Sequence, residues 1–241
     1  FNRVYILPFR PLLSYGFRGA AQVQAISQFL GNWARRMGAK EVEIIPNGVD
    51  LKKFNALEHS TIDTSKVRLI TTSRLVEKNG VGDIIEALTF LPETVSLQIL
   101  GTGPLGKTLK KQVESLELGR RVQFIGFVPQ AEIPTYLAQA DIFARPSLSE
   151  GQGISFIEAM AAGLPVIATP VGGIPDFLVD GETGLFCEPH NPDSIAQAVK
   201  RLIEDEVLRT RVIAQARAMV EERYDWDLIA EEMKRRVFSI V

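Results

Sequence analysis

A repeating pattern of short apolar strands and helices fills the chain from about residue 67 onward and limits what it can fold into. The predicted strands, apolar along most of their length, cover residues 67–72, 95–100, 122–125, 141–144 and 165–169. The predicted helices cover residues 82–89, 105–116, 133–138 and 154–162, and then 192–204, 207–222 and 226–241. Buried strands that alternate with helices predict an α/β fold, a doubly wound parallel sheet with flanking helices.

The first 45 residues do not share this pattern. They comprise an irregular stretch at 1–19, a helix at 27–37 and one short strand at 42–45. Several turn-forming residues and a polar stretch follow, which is typical of a linker. We expect four parts: the remnant of another domain at 1–45, a linker at 46–65, the main domain at 66–225 and a terminal helix at 226–241.

Composition excludes several classes of function. The chain of 241 residues has 27 Lys and Arg against 29 Asp and Glu, a net charge of −2, so it has no general positive field for nucleic acid. A single cysteine, Cys187, excludes an intrachain disulfide and a multi-thiolate metal site. No apolar run approaches the roughly 20 residues that span a bilayer. We expect a cytoplasmic protein without a bound metal.

Residues 147–163 carry the strongest functional signal. They leave a predicted strand, cross a loop with two glycines and enter a predicted helix. Backbone N–H groups at a helix start, beside glycines that let a ligand approach, attract diphosphate or sugar oxygens, and this edge of a parallel sheet is where ligands bind. We expect Glu150 and Glu158 to face the same ligand. The alternative is a capping box between Ser155 and Glu158, with Glu150 as a solvated loop acid.

The segment resembles the Glu-x7-Glu region of retaining GT-B glycosyltransferases, especially family 4, the group 1 glycosyltransferases. Other stretches resemble landmarks of that family in the family's order, namely residues 45–50, 73–78, 101–104, 124–128, 163–168, 170–175 and 180–185. The resemblance covers about residue 20 to the end and implies a Rossmann-like domain, one half of a GT-B fold. A whole enzyme of this kind has a second, acceptor-binding domain, so we expect a fragment that holds a donor but transfers poorly.

The resemblance also implies roles for individual residues. Arg74 and Lys78 would bind the donor diphosphate, and their cationic chemistry suits phosphate oxygens. Without the family match, a solvated pair at a strand end is the simpler explanation. Glu150 would contact sugar hydroxyls and Glu158 the ribose. The expected catalytic residues are Glu150, Arg74 and Lys78. The expected donor-binding residues also include Gly126, Phe127, Val128, Gly151, Gln152, Gly153, Ile154 and Glu158.

Two positions depart from the family pattern, and one motif competes with it. Gln152 stands where the family commonly has an aromatic residue, which is expected to alter the fit of the sugar. Asn79 is inserted after Lys78 and is expected to have little effect. Residues 101–106 spell GxGxxG after a strand, as in a dinucleotide-binding turn, but no acid follows the next strand to hold a ribose. We interpret them as a turn that lines the donor cleft.

The expected reaction moves a sugar, as in a hexosyltransferase, from a UDP-, GDP- or ADP-sugar to an acceptor hydroxyl. The resemblance implies retention at the anomeric carbon and no required cofactor. The expected partners are the nucleotide sugar and the missing acceptor domain. We expect contact with a membrane only through that missing domain, and we expect no binding of nucleic acid. Two alternatives stay open: a GT-B sugar-nucleotide epimerase or phosphorylase relative, and a non-catalytic nucleotide-binding module.

Overall fold

The computed structural model describes residues 9–54, 62–63 and 65–238, and in it the predicted strands form a parallel sheet. The strands are β1 (Val23–Ala25), β2 (Val42–Ile44), β3 (Val67–Thr72), β4 (Val95–Leu100), β5 (Val122–Gly126), β6 (Ile142–Arg145), β7 (Val166–Ala168) and β8 (Leu185–Phe186). The helices are α1 (Arg10–Gly19), α2 (Gln28–Met37), α3 (Val81–Ala87), α4 (Gly106–Ser115), α5 (Ile133–Ala138), α6 (Ile154–Ala161), α7 (Pro192–Glu204), α8 (Glu206–Arg223) and α9 (Trp226–Arg236).

The main sheet has six strands in the order β5-β4-β3-β6-β7-β8, and all neighbours are parallel. The chain first builds outward from β3 through β4 to β5, and then crosses to the other side of β3 to add β6. The direction of strand addition therefore reverses between β3 and β6. In open α/β sheets the loops that leave such neighbouring strands diverge, and the crevice between them is the usual ligand site.

Apolar side chains cover both faces of this sheet, which explains the uniformly apolar strands. Along β3, Leu69 packs into a cluster that includes side chains of α3, α4 and α7. The next residue, Ile70, faces the opposite way into a cluster with α5, α6 and α8. Side chains alternate across a strand, so a sheet buried on two faces needs apolar residues at both positions. The predicted doubly wound fold is confirmed.

Three local predictions differ from the structure. Residues 10–19, expected to be irregular, form α1, whose second residue is proline and none of whose ten residues is buried. Proline is tolerated in a first helical turn, but a proline and two glycines within ten residues are poor helix formers and hide the helix from a reading of the sequence. The structure also adds the short strands β1 and β8, which were not predicted. β1 pairs with β2 in a separate two-stranded sheet, with Val23 opposite Val42.

The first part of the predicted linker is packed against the main domain. Val49 N donates to Tyr224 O at 2.8 Å, and Trp226 N donates to Val49 O at 3.0 Å. Leu51 and Phe54 are buried in the same cluster as α6 and α8. Residues 55–61 and 64 of the linker, and residues 239–241 of the predicted terminal helix, lie outside the described residues. Along the described ranges, no helix combines the length and apolarity needed to cross a membrane.

Candidate functional site

A pocket of about 420 Å³ opens at the carboxyl edge of the sheet, beside the reversal point between β3 and β6. The turns after β3, β4 and β5 and the first turns of α6 form its walls. Its lining consists of Thr72, Ser73, Arg74, Leu100, Gly101, Thr102, Phe127, Val128, Gln130, Ile133, Ile154, Ser155 and Glu158. The sheet geometry and the sequence motifs therefore identify the same edge of the domain.

Five predicted site residues line this pocket together: Arg74, Phe127, Val128, Ile154 and Glu158. The other six are not among its lining residues and lie on the neighbouring turns. These six are Lys78, Gly126, Glu150, Gly151, Gln152 and Gly153.

A larger groove of about 830 Å³ lies between the N-terminal segment and α8–α9, and Gln152 is one of its lining residues. Because this groove lies away from the ends of β3, β4 and β5, we take the smaller pocket as the candidate site.

The turn after β3 is fixed by a residue that was expected to matter little. Asn79 is 5% exposed, and its Nδ2 donates to Arg74 O at 2.7 Å. The same turn contacts the loop after β6, because Leu148 N donates to Lys78 O at 2.7 Å and Lys78 Nζ lies 3.5 Å from Ser149 O. The buried amide of Asn79 therefore braces the backbone of Arg74, a contact that the sequence did not predict. Both predicted cationic side chains are exposed at the surface.

The loop after β6 is braced by the loop after β7. Gly173 N donates to Glu150 O at 3.2 Å, and Gly172 has a left-handed φ of +61°. A Cβ at position 172 would lie 1.8 Å from Glu150 O, which no side chain can tolerate. Gly153, with a φ of +92°, is the N-cap residue that precedes α6. Glycine is therefore required at 172 for the close approach that holds the Glu150 backbone in place.

The GxGxxG turn brings two strand ends together. A Cβ at Gly101 would lie 1.9 Å from Ser73 O, and a Cβ at Gly103 would lie 2.4 Å from Leu75 O. These glycines let the turn after β4 pack against the turn after β3. Gly101 and Thr102 line the pocket, as expected for a turn that lines the cleft.

Glu158 lies in the pocket wall and is 7% exposed. Burial raises the pKa of its carboxyl, while a hydrogen bond from Gln130 and the charges of Arg145 and Lys53 act in the opposite direction. Ser73, which also lines the pocket, has a buried hydroxyl with no partner among the described residues.

Arg145, the buried last residue of β6, was not among the predicted site residues. Its Nη2 donates to Glu150 Oε2 at 2.5 Å, and its Nη1 donates to Ser155 Oγ at 2.6 Å. Burial lowers the pKa of the guanidinium, and Glu150 and Glu158 oppose that shift. The signal of this residue in the sequence was an arginine that ends an otherwise apolar strand.

The capping-box alternative for Ser155 and Glu158 is wrong, because α6 begins after Gly153 without a side-chain cap.

The side chain of Gln152 is directed toward the linker and not into the pocket. It is 3% exposed, its Nε2 donates to Asn47 O at 2.9 Å, and its Oε1 accepts from Asn47 N at 2.8 Å. This pair of hydrogen bonds, which we call the Gln152–Asn47 clamp, ties the site loop to the segment before residue 50. The expected effect on sugar fit stays a prediction that would act through the loop backbone.

Comparison with known proteins decides the family. The family described as "Glycosyl transferases group 1" matches residues 53–219. The chain belongs to this family. It is 32% identical over 212 residues to a GDP-mannose-dependent alpha-(1-6)-phosphatidylinositol monomannoside mannosyltransferase of Mycobacterium tuberculosis, covering 81% of this chain and 55% of the relative. The chain spans about half the length of the curated relatives it matches.

Solved structures of other proteins have the same architecture. The HepE protein of Anabaena, crystallised with UDP and glucose, has a TM-score of 0.86 and 25% identity, covering 97% of this chain and 67% of that one. The C-terminal domain of a group 1 family protein of Francisella tularensis has a TM-score of 0.63 and 27% identity, covering 74% of this chain and 99% of that domain. The predicted fold class, an α/β Rossmann-like domain of the GT-B type, is confirmed.

Proposed function

We propose that this chain is the donor-binding half of a retaining glycosyltransferase, which moves a sugar from a nucleoside diphosphate to an acceptor hydroxyl. One observation carries the proposal: the pocket at the reversal point of the sheet brings a cation, a buried carboxyl and an aromatic rim to the start of α6. Arg74, Glu158 and Phe127 supply these groups. Phosphate, ribose and base need these three chemistries. Family membership and the UDP complex of HepE support the proposal.

In this proposal the diphosphate lies between Arg74, Lys78 and the amides of residues 151–154. The exposed side chains of Arg74 and Lys78 reach phosphate oxygens from the turn after β3, and free N–H groups at the start of α6 add a positive partial charge. The ribose lies against Glu158, and the base lies on Gly126, Phe127 and Val128, with Phe127 77% exposed at the rim. The site then binds a UDP-, GDP- or ADP-sugar.

The proposed catalysis is electrostatic. The bond between the anomeric carbon and the phosphate oxygen breaks, and its electron pair leaves with the nucleoside diphosphate. The acceptor oxygen bonds to the same face of the sugar through a short-lived ion pair, and its proton passes to the departing phosphate. Arg74 and Lys78 stabilise the charge that develops on the leaving group, and Glu150 orients the sugar. No cofactor is required by this scheme.

We propose the domain division expected from the sequence: an acceptor-domain remnant at 1–45, a linker at 46–65, the donor domain at 66–225 and a terminal helix at 226–241. The separate β1–β2 sheet supports the first boundary. The match to a C-terminal domain solved alone supports an independent donor domain. The acceptor domain is then a required partner for transfer, and the cytoplasmic location stays a prediction of the sequence.

Calorimetric titration of the 241-residue chain tests the donor site. We expect binding of at least one of UDP-glucose, GDP-mannose and ADP-glucose. Arg74→Ala removes a charge-assisted hydrogen bond to phosphate, so the dissociation constant is expected to rise about tenfold or more. Arg120→Ala is the control, because Arg120 is exposed just before β5, at the opposite edge of the sheet. No binding of any donor at millimolar concentration overturns the proposal, and equal affinity of the two variants overturns the role of Arg74.

A further inference from the structure

A buried arginine lies at the reversal point of the sheet. Arg145 ends β6, is 6% exposed, and stacks with its guanidinium carbon 4.2 Å from the centre of the Phe156 ring. A buried charge is unfavourable unless charged or hydrogen-bonding partners surround it. The identity of those partners therefore indicates what Arg145 is placed to hold.

Every hydrogen bond of the Arg145 side chain goes to a group at or beside the candidate pocket. Nη1 donates to Ser155 Oγ at 2.6 Å and to Thr72 O at 3.3 Å, and both residues line the pocket. Nε donates to Ser147 Oγ at 3.2 Å, and Nη2 donates to Glu150 Oε2 at 2.5 Å. One guanidinium thus joins the end of β3, the loop after β6 and the first turn of α6.

The bond to Glu150 is the one that bears on a ligand. The Glu150 side chain is 14% exposed, and its other oxygen, Oε1, accepts from Gly151 N at 2.9 Å. Both oxygens are therefore held by fixed donors, which sets the plane of the carboxylate. Each carboxylate oxygen can accept more than one hydrogen bond, so capacity remains for a ligand hydroxyl. A loop carboxylate without Arg145 would have several rotamers available to it.

We propose that Arg145 is a positioning residue that orients the Glu150 carboxylate toward hydroxyls of the donor sugar. The inference rests on the proposed function, and it assigns the Arg145–Glu150 pair to the sugar and not to the nucleotide. Loss of the pair then weakens binding of a nucleotide sugar much more than binding of the free nucleoside diphosphate. An ion pair that only stabilises the fold would change both affinities together.

The test compares two dissociation constants, those for UDP-glucose and UDP, with GDP-mannose and GDP as the second pair. In Arg145→Met, the ratio of the sugar-nucleotide constant to the nucleotide constant is expected to rise about tenfold, which corresponds to one lost charge-assisted hydrogen bond. Glu150→Gln is expected to raise the ratio similarly. The double variant is expected to show no further rise, because the two residues act as one unit.

Arg209→Met is the matched control. Arg209 is also buried, at 9% exposure, but its Nη1 donates to the carbonyls of Leu202 and Ile203 at 2.7 and 3.1 Å, and none of these residues lines the pocket. Its loss is expected to lower thermal stability and leave the ratio unchanged.

Arg145→Lys provides a second variant if the Met variant does not fold, because lysine keeps the positive charge but lacks the several N–H donors of the guanidinium. For this variant the ratio of the sugar-nucleotide constant to the nucleotide constant is expected to rise about threefold. An unchanged ratio in either folded variant, with UDP or GDP still bound, overturns the inference. Absence of binding by the unaltered chain counts against the proposed function itself.

Discussion

Replacing Gln152 with alanine removes the Gln152–Asn47 clamp without touching the candidate pocket. The clamp consists of two hydrogen bonds, of 2.8 and 2.9 Å, that join a side-chain amide that is 3% exposed to the backbone N–H and C=O of Asn47. Each contributes about 1 kcal/mol net, and the buried methylene that alanine lacks contributes about 0.8 kcal/mol. We therefore expect the free energy of unfolding to fall by about 2–3 kcal/mol.

Equilibrium urea unfolding of the 241-residue chain measures this loss. Gln98→Ala is the control, because the Gln98 amide bonds only to the Gln123 side chain, at 3.2 Å, in an exposed setting. That variant is expected to stay within about 0.5 kcal/mol of the unaltered chain. Gln152→Glu keeps the shape and one acceptor but loses the donor to Asn47 O at neutral pH, so it is expected to be destabilised as well. A loss below about 0.5 kcal/mol in Gln152→Ala would show that the clamp does not stabilise the folded chain.

Three further predictions concern the site loops. Gly172→Ala, whose Cβ would lie 1.8 Å from Glu150 O, is expected to lower the free energy of unfolding in urea by about 2–5 kcal/mol. The control Gly181→Ala has a φ of +73° but open space around the Cβ, so a loss of about 1 kcal/mol is expected; equal losses in the two variants would exclude the clash. Burial raises the pKa of Glu158 above 4.5, so the folded chain keeps this carboxyl protonated to a higher pH than the unfolded chain does, and stability falls as pH rises through the folded pKa. Glu158→Gln is expected to reduce the fall in Tm between pH 4 and 8, and an unchanged dependence of Tm on pH would contradict this. Asn79→Ala removes the 2.7 Å hydrogen bond to Arg74 O and is expected to lower the free energy of unfolding by about 1 kcal/mol and to raise the dissociation constant for UDP measured by calorimetry. An unaltered dissociation constant would show that this hydrogen bond is not needed to position the turn after β3.

Most of the fold followed from local pattern. β3 and β4 begin and end at the predicted residues, because burial on both faces of the sheet requires unbroken apolar runs. The bounds of α5 were also predicted correctly. α1 escaped prediction because one proline and two glycines interrupt it, and β8 because it is two residues long. β1 escaped because its pairing with β2 joins residues nearly twenty positions apart, which no local pattern records.

The candidate site divides in a similar way. The glycines, the cations after β3 and the two glutamates could be selected from the sequence, since their residue types suit phosphate and sugar chemistry. Which of them share a pocket depended on the order of the strands, which brings the turns after β3, β4 and β5 to the first turns of α6. The sequence assigned Gln152 to the sugar, and only the packing of the loop against the linker shows its amide on Asn47.

The amino-acid sequence was therefore sufficient to predict the α/β architecture, the family and the edge of the sheet at which the candidate pocket lies. The tertiary structure alone decided the partners of the buried polar groups: Arg145 with Glu150, Gln152 with Asn47, and Asn79 with the turn after β3. The physical reason is that secondary structure is encoded in repeating burial along the chain. A buried hydrogen bond, in contrast, depends on which chain segments meet, and the clamp joins residues 105 positions apart.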